Sequence, residues 1–199
     1  MKRLIARTSL ALVLVSLAVS AAVAQGAGQQ PLTINDLLKV RRVGDPQLSP
    51  DGGWVAYSIT DPDKAANRSR TQIYLIATGG GEPKQLTSGA SSASSPRWSP
   101  DGKRLAFVTG GQIQVMDMNA GNNSGEPKKL TGISTGATDP VWSPNGKWIA
   151  FVSDIYPECA DDACNQKRDA AMEESKVKAK TVDRLLYRHW NTWKDGKRT

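Results

Sequence analysis

The chain has 199 residues, of which 39% are hydrophobic and 6% aromatic, enough for one or two packed domains. Its formal charge of +7 raises nucleic-acid binding. Lys2, Arg3 and Arg7 lie in a removable leader, so the remainder carries +4, and no basic stripe interleaved with aromatics follows; a nucleic-acid partner is set aside.

Residues 1–24 read as a signal peptide. Lys2, Arg3 and Arg7 form a charged start, and Leu10 to Val19 an apolar core too short to span a bilayer comfortably. Ala22-Val23-Ala24 places small residues at a cleavage site before Gln25. The expected product is exported, periplasmic or secreted, with no stable membrane insertion after cleavage. Residues 25–44 read as a polar tail and a short helix, in which Thr33 and Asp36 stand at capping-box spacing.

From residue 45 the chain states one motif three times: Leu48-Ser49-Pro50-Asp51-Gly52, Trp98-Ser99-Pro100-Asp101-Gly102 and Trp142-Ser143-Pro144-Asn145-Gly146. Proline suits the second position of a type I turn, Asp or Asn the third, and glycine the left-handed residue that closes it. An apolar run follows each copy, which predicts strand, tight hairpin, strand. Leu105 to Val108 and Ile149 to Val152 are apolar on both faces, as in strands stacked between other sheets. Gln72 to Ile76 and Gln112 to Met116 read as third strands. Glu82 to Thr87 and Glu126 to Thr131 read as fourth, edge strands, with proline near their start. Four strands in a repeat of roughly 40–50 residues make one propeller blade. Asp61 to Arg70 reads as a long charged loop. Gly79-Gly80-Gly81 lacks the lysine and strand-loop-helix context of a phosphate-binding loop.

The third repeat is interrupted by an insertion over 155–182. Cys159 and Cys164 in it are most simply a disulfide pinning a loop of an exported protein. A metal site would need more ligands than one histidine, His189, and the pair Asp161-Asp162 provide, so no metal and no cofactor are expected. Asn165 to Lys180 reads as a helix, polar all round and protruding. Arg184 to Trp190 turns strand-like, and Asp195-Gly196 supplies a further turn. Gly132-Ile133-Ser134-Thr135-Gly136 matches the nucleophile-elbow pattern, and Ser134, Asp154 and His189 follow in triad order. The elbow needs a buried strand before the serine and a helix after it, whereas Ser134 stands between two blades. No catalytic residue is expected in the segment. The fold class is all-β: a partial β-propeller of about two and a half four-stranded blades over 45–199, with a helical insertion. Closure takes roughly 4–8 blades, so a longer parent protein is expected.

The chain resembles the N-terminal part of exported bacterial peptidases of the prolyl oligopeptidase family, in the dipeptidyl-peptidase and acylaminoacyl-peptidase branch. The resemblance is carried by Ile34 to Leu38, Val43 to Gly52, the two later turn motifs, and Asp183 to Trp190 after the cysteine-containing insertion. It implies a serine peptidase whose C-terminal α/β-hydrolase domain cleaves short peptides by acyl transfer without a metal, the propeller gating access. Some members hold a peptide's free amine with adjacent glutamates on an inserted helix, and Glu173-Glu174 is similar to that pair. TolB-type propellers share the turn motif, so a TolB-like, non-catalytic binding module is the alternative.

Overall fold

The structure is a computed structural model. It describes residues 31–119, 121–123, 125–177, 179, 188–190, 192–193 and 196–199. The leader expected over 1–24 lies outside the described residues. Residues up to Lys39 and residues from Val40 onward form two units. In the first, α1 (Ile34–Leu37) is a single helical turn. Its capping box is formed: Asp36 N donates to Thr33 Oγ1 at 3.3 Å, and Thr33 N donates to Asp36 Oδ2 at 3.1 Å.

The second unit is a partial β-propeller. The first sheet runs β1 (Arg42–Leu48), β2 (Trp54–Asp63), β3 (Arg68–Ala77), β4 (Lys84–Gln85), all antiparallel. The second holds β5 (Ala93–Trp98), β6 (Arg104–Thr109) and β7 (Gln112–Asn119), with β8 (Asn122–Asn123) and β9 (Lys128–Lys129) both paired to β7. The third pairs β10 (Thr138–Trp142) with β11 (Ile149–Val152). These are one four-stranded blade, a second in which β5, β6, β7 and β9 form the four strands and the short β8 adds a fifth pairing to β7, and the first hairpin of a third, in the order the repeats predict.

Each turn motif is closed in the same way. The serine N–H donates to the carbonyl five residues on, as Ser99 N to Arg104 O at 2.8 Å, and the glycine N–H returns to the serine carbonyl at 2.9 Å in all three copies. The serine Oγ accepts from that fifth N–H (Trp54, Arg104, Trp148) at 2.9–3.0 Å and donates to the Asp or Asn side chain. Hydrogen bonds from the Ser49 and Ser99 hydroxyls, then from the backbone, hold the Asp51 and Asp101 carboxyls below their ordinary pKa. A carboxyl lowered in the folded state adds stability above its unfolded pKa of about 4, and that stability is lost as pH falls through the folded value. Asn145 makes the same bonds without a charge. Asp51→Asn with Asp101→Asn therefore keeps both turns and flattens the stability profile between about pH 5 and pH 2, read as the denaturant midpoint against pH.

Blades one and two share a core of Ala56, Ile73, Leu75, Leu105, Phe107 and Met116. Blades two and three share a smaller one of Ala106, Val108, Ile113 and Ala137, with Trp142 and Ile149 against it. Burial on both faces holds for β6, where Leu105 to Val108 are all buried. It fails for β11, where Ala150, Phe151 and Val152 are exposed. β6 lies between two sheets, whereas among the described residues β11 has a packed sheet on one side alone. The long loop expected over Asp61 to Arg70 is also corrected. β2 and β3 pair through Asp63 and Arg68, leaving a turn of four residues with Asn67 at φ 47°. Asp61 opposite Arg70 and Asp63 opposite Arg68 are cross-strand pairs of opposite charge, which extend a sheet as well as they solvate a loop.

Candidate functional site

The insertion emerges from the hairpin that follows β11. Ile155 pairs with Arg198 through bonds of 2.8 and 2.7 Å, so the chain leaves the third blade after one and returns at the other. Blades one and two span the same place with residues 64–67 and with Gly110-Gly111. The inter-blade loops lie at this end too, because each leads into the start of the next first strand. The face is therefore built from the second hairpin of each blade and the loops between blades.

Within the insertion, Cys159 and Cys164 form a disulfide, with Sγ–Sγ 2.02 Å. It closes a loop whose Asp161 caps α2 (Asp162–Glu174), accepting from Cys164 N at 2.9 Å. The helix starts before Asn165 because Asp161 supplies the cap. It stops at Glu174, where two adjacent carboxylates and no basic residue meet the negative end of the helix dipole. It does not simply protrude. Asn165 is buried and accepts from Tyr156 N at 2.9 Å, and the Tyr156 hydroxyl donates to Asp169 at 2.9 Å. The Tyr156 ring is 1% exposed, with the Arg168 guanidinium 4.8 Å and the Lys197 ammonium 5.2 Å from its centroid. Lys197 also donates to Asp169 at 2.7 Å. Burial pushes the Asp169 carboxyl up, but the bonds from Lys197 and Tyr156 outweigh it and hold its pKa below the ordinary value. A helix with no apolar stripe is thus docked through a polar hub on a buried tyrosine.

The Ser134 pattern has a structural explanation. Ser134 Oγ donates to Asp162 at 2.7 Å and its backbone N–H donates to the same carboxylate at 3.1 Å. It sits in a turn that leads through the buried Ala137 into β10, with no helix behind it. It ties the loop between blades two and three to the first turn of α2. Thr135 and Ser153 hydroxyls meet 2.8 Å apart beside it. A cavity of about 290 Å³ lies between this loop and the insertion, lined by Thr135, Asp154, Tyr156, Asp169, Trp193 and Lys197. Glu173 and Glu174 are exposed on the last turn of α2 and do not line it. The His189 backbone lies in β12 (Arg188–His189), paired with β13 (Thr192–Trp193), while its side chain and residues 180–187 lie outside the described residues. Among the described residues, no cluster of three or more His, Cys, Asp or Glu fits a metal ion.

Removing the disulfide tests how this face is held. Closing so short a loop is worth about 2 kcal/mol in the chain-entropy account. Cys159→Ala with Cys164→Ala should loosen 156–174 by about that much and leave the blades intact, seen as faster proteolysis confined to the insertion.

Three further sets of contacts were not read from the motifs, although they repeat in phase with them. Gln72, in the middle of β3, and Gln112, at the start of β7, each latch a third strand to the following loop. Gln72 accepts from Thr87 Oγ1 at 2.6 Å, and Gln112 from Thr131 Oγ1 at 2.8 Å. Each Gln side-chain N–H donates to a loop carbonyl, of Ser91 at 3.1 Å and of Ile133 at 2.7 Å. Each first strand carries a bulge at an X-Pro step: Asp45, Ser95 and Asp139 have φ of 48°, 54° and 49°, where the pairing register shifts. Finally, each tryptophan of the motif reaches back one blade. Trp98 Nε1 donates to Gln47 O at 3.1 Å, and Trp142 Nε1 to Arg97 O at 3.0 Å.

Residues 37–177 match the family model of the TolB beta propeller domain. The chain belongs to the TolB β-propeller domain family. Over 164 residues this TolB-type chain is 30% identical to dipeptidyl-peptidase 5 of Porphyromonas endodontalis, covering 81% of this chain and 23% of that protein. It is 39% identical over 97 residues to the peptidase YuxL of Bacillus subtilis, covering 45% of this chain and 14% of that one. Among solved structures, the acylaminoacyl peptidase of Pyrococcus horikoshii superposes with a TM-score of 0.51 at 25% identity, over 63% of this chain and 19% of that one. The TolB-type chain thus spans under a quarter of the length of these relatives, and the likeness falls on their propeller segments.

Proposed function

We propose that this chain is the front of the propeller of an exported serine peptidase of the prolyl oligopeptidase family. The observation that carries the reading is the likeness to dipeptidyl-peptidase 5 across 81% of the chain. In this reading a C-terminal α/β-hydrolase domain supplies the serine nucleophile and cleaves short peptides by acyl transfer, and the propeller gates their access. The peptide enters against the face that bears the insertion. Glu173 and Glu174 are the proposed contacts for its free amine, since two carboxylates at a helix C-terminus give a negative potential that suits a cation. Export fits the charged and apolar leader and the Cys159–Cys164 disulfide, which persists in an oxidising compartment.

The test is made on the full-length protein purified from the exported fraction. Its mature N-terminus is expected at Gln25, it should hydrolyse dipeptidyl-naphthylamides, and a fluorophosphonate should label a single serine. Replacing Glu173 and Glu174 by alanine should raise KM for free-amine peptides and spare N-blocked ones. Absence of both hydrolysis and labelling would favour the TolB-like, non-catalytic binding module.

A further inference from the structure

Blade three presents outward the same two acceptors that blade one presents to blade two. In the first interface, the Asp45 carboxylate at the bulge of β1 accepts from Arg97 Nη1 at 2.8 and 3.0 Å, and Gln47 O accepts from the Trp98 indole. Both donors lie side by side on β5, in the run Pro96-Arg97-Trp98-Ser99-Pro100. In the second interface the bulge residue is the neutral Ser95, and the position matching Arg97 is the apolar Val141. The tryptophan bond is kept, from Trp142 to Arg97 O. So an acidic bulge residue meets an arginine from the next blade, a neutral one meets none, and the indole bond is common to both.

On the open side of blade three the acidic residue returns. Asp139 takes the place of Asp45 with nearly the same φ, 49° against 48°, and Val141 takes the place of Gln47 and is 59% exposed. Trp148 and Val152 of the same hairpin are also exposed. We infer that this face docks a further repeat of the same chain whose first strand carries arginine and tryptophan immediately before its Ser-Pro turn. The arginine pairs with Asp139 and the tryptophan indole donates to the Val141 carbonyl. Two observations favour the chain itself over a second copy. Arg198 already pairs beside Ile155, so the chain re-enters the third blade where β3 and β7 lie in the first two. A second copy would offer its own free first strand, β1, which carries Gln47 and Leu48 at the two donor positions and supplies neither a guanidinium nor an indole.

This rests on the reading that the protein continues as a propeller, and not on its being a peptidase. The experiment uses the full-length protein and hydrogen exchange of the amides in 138–142 and 149–152. Asp139→Asn is expected to raise local opening about fivefold, the arginine of the fourth repeat changed to glutamine to do the same, and the double variant to add nothing further. The tryptophan of that repeat changed to phenylalanine should raise opening by itself. Additive effects of the two charge variants, or a fourth repeat with no arginine at that position, would overturn the inference. So would an Asp139→Cys protein that a short bis-maleimide links into dimers in place of an internal link to a cysteine at the arginine position. Loss of the peptidase reading with the non-additivity intact would leave this interface standing.

Discussion

Replacing Gly121 by alanine lowers the stability of the propeller by about 2–5 kcal/mol. Gly121 closes the turn between β7 and β8 at φ +76°, a left-handed conformation that costs an alanine about 1–2 kcal/mol. The larger cost is steric. A Cβ at this position would lie 2.2–2.5 Å from three ring carbons of Trp54, and real contacts do not come that close. Trp54 belongs to blade one and packs against the core that joins it to blade two. The ring cannot retreat without opening that core, so overpacking adds about 1–3 kcal/mol. Gly52 has a similar φ of +71° with nothing within 4 Å of its Cβ position, and so serves as the control. Gly52→Ala should cost the backbone share alone. Equal denaturant midpoints for the two variants would show that Trp54 yields, and would sink the steric account.

Ser99→Ala costs about 2–3 kcal/mol, and the same change in the other two motifs costs less. Ser99 is fully buried; its Oγ accepts from Arg104 N at 2.9 Å and donates to Asp101 at 2.5 Å. Alanine leaves the Arg104 N–H without its acceptor inside the hairpin and removes the donor that holds the Asp101 carboxylate. An unsatisfied buried donor costs about 1–3 kcal/mol, more than the bond itself contributes. Ser49 makes the same bonds at 4% exposure, and Ser143 makes them half-buried, where water can replace them. The expected order is therefore Ser99, Ser49, Ser143. Unfolding followed by circular dichroism in urea gives the order directly, and equal losses in all three would place the effect in the turn rather than in burial.

Much of the architecture was legible because its signals are local. A Ser-Pro-Asp-Gly turn between apolar runs specifies a hairpin wherever it stands, and three copies in phase specify blades. Thr33 and Asp36 are three residues apart, so the start of α1 could be placed by spacing, whereas the cap at Asp161 was not read and α2 starts ahead of the expected Asn165. The elbow pattern at Ser134 was recognised as a loop for the same reason, since the edge strand before it and the turn after it are both local features.

What local signals do not contain is the neighbour across a gap of 40 or more residues. The Asp45–Arg97 pair and the Trp98 and Trp142 indole bonds join strands about one repeat apart, and Asp, Arg and Trp carry no mark of their partner until the blades are stacked. Ile149 to Val152 reads as doubly buried because its composition matches that of Leu105 to Val108, yet burial depends on which sheets flank a strand. The sequence by itself determined the repeat unit, its hairpins and the kinship to propeller peptidases, because turn chemistry and alternation act over a few bonds. Only the tertiary structure decided that a polar helix docks on a buried tyrosine, that Ser134 answers to Asp162, and that each blade reaches back to the one before it. Those choices are made by side chains that neither turn chemistry nor alternation links, whether 9 residues apart, as Tyr156 and Asn165, or 51, as Gln47 and Trp98, and they meet only once the elements have packed.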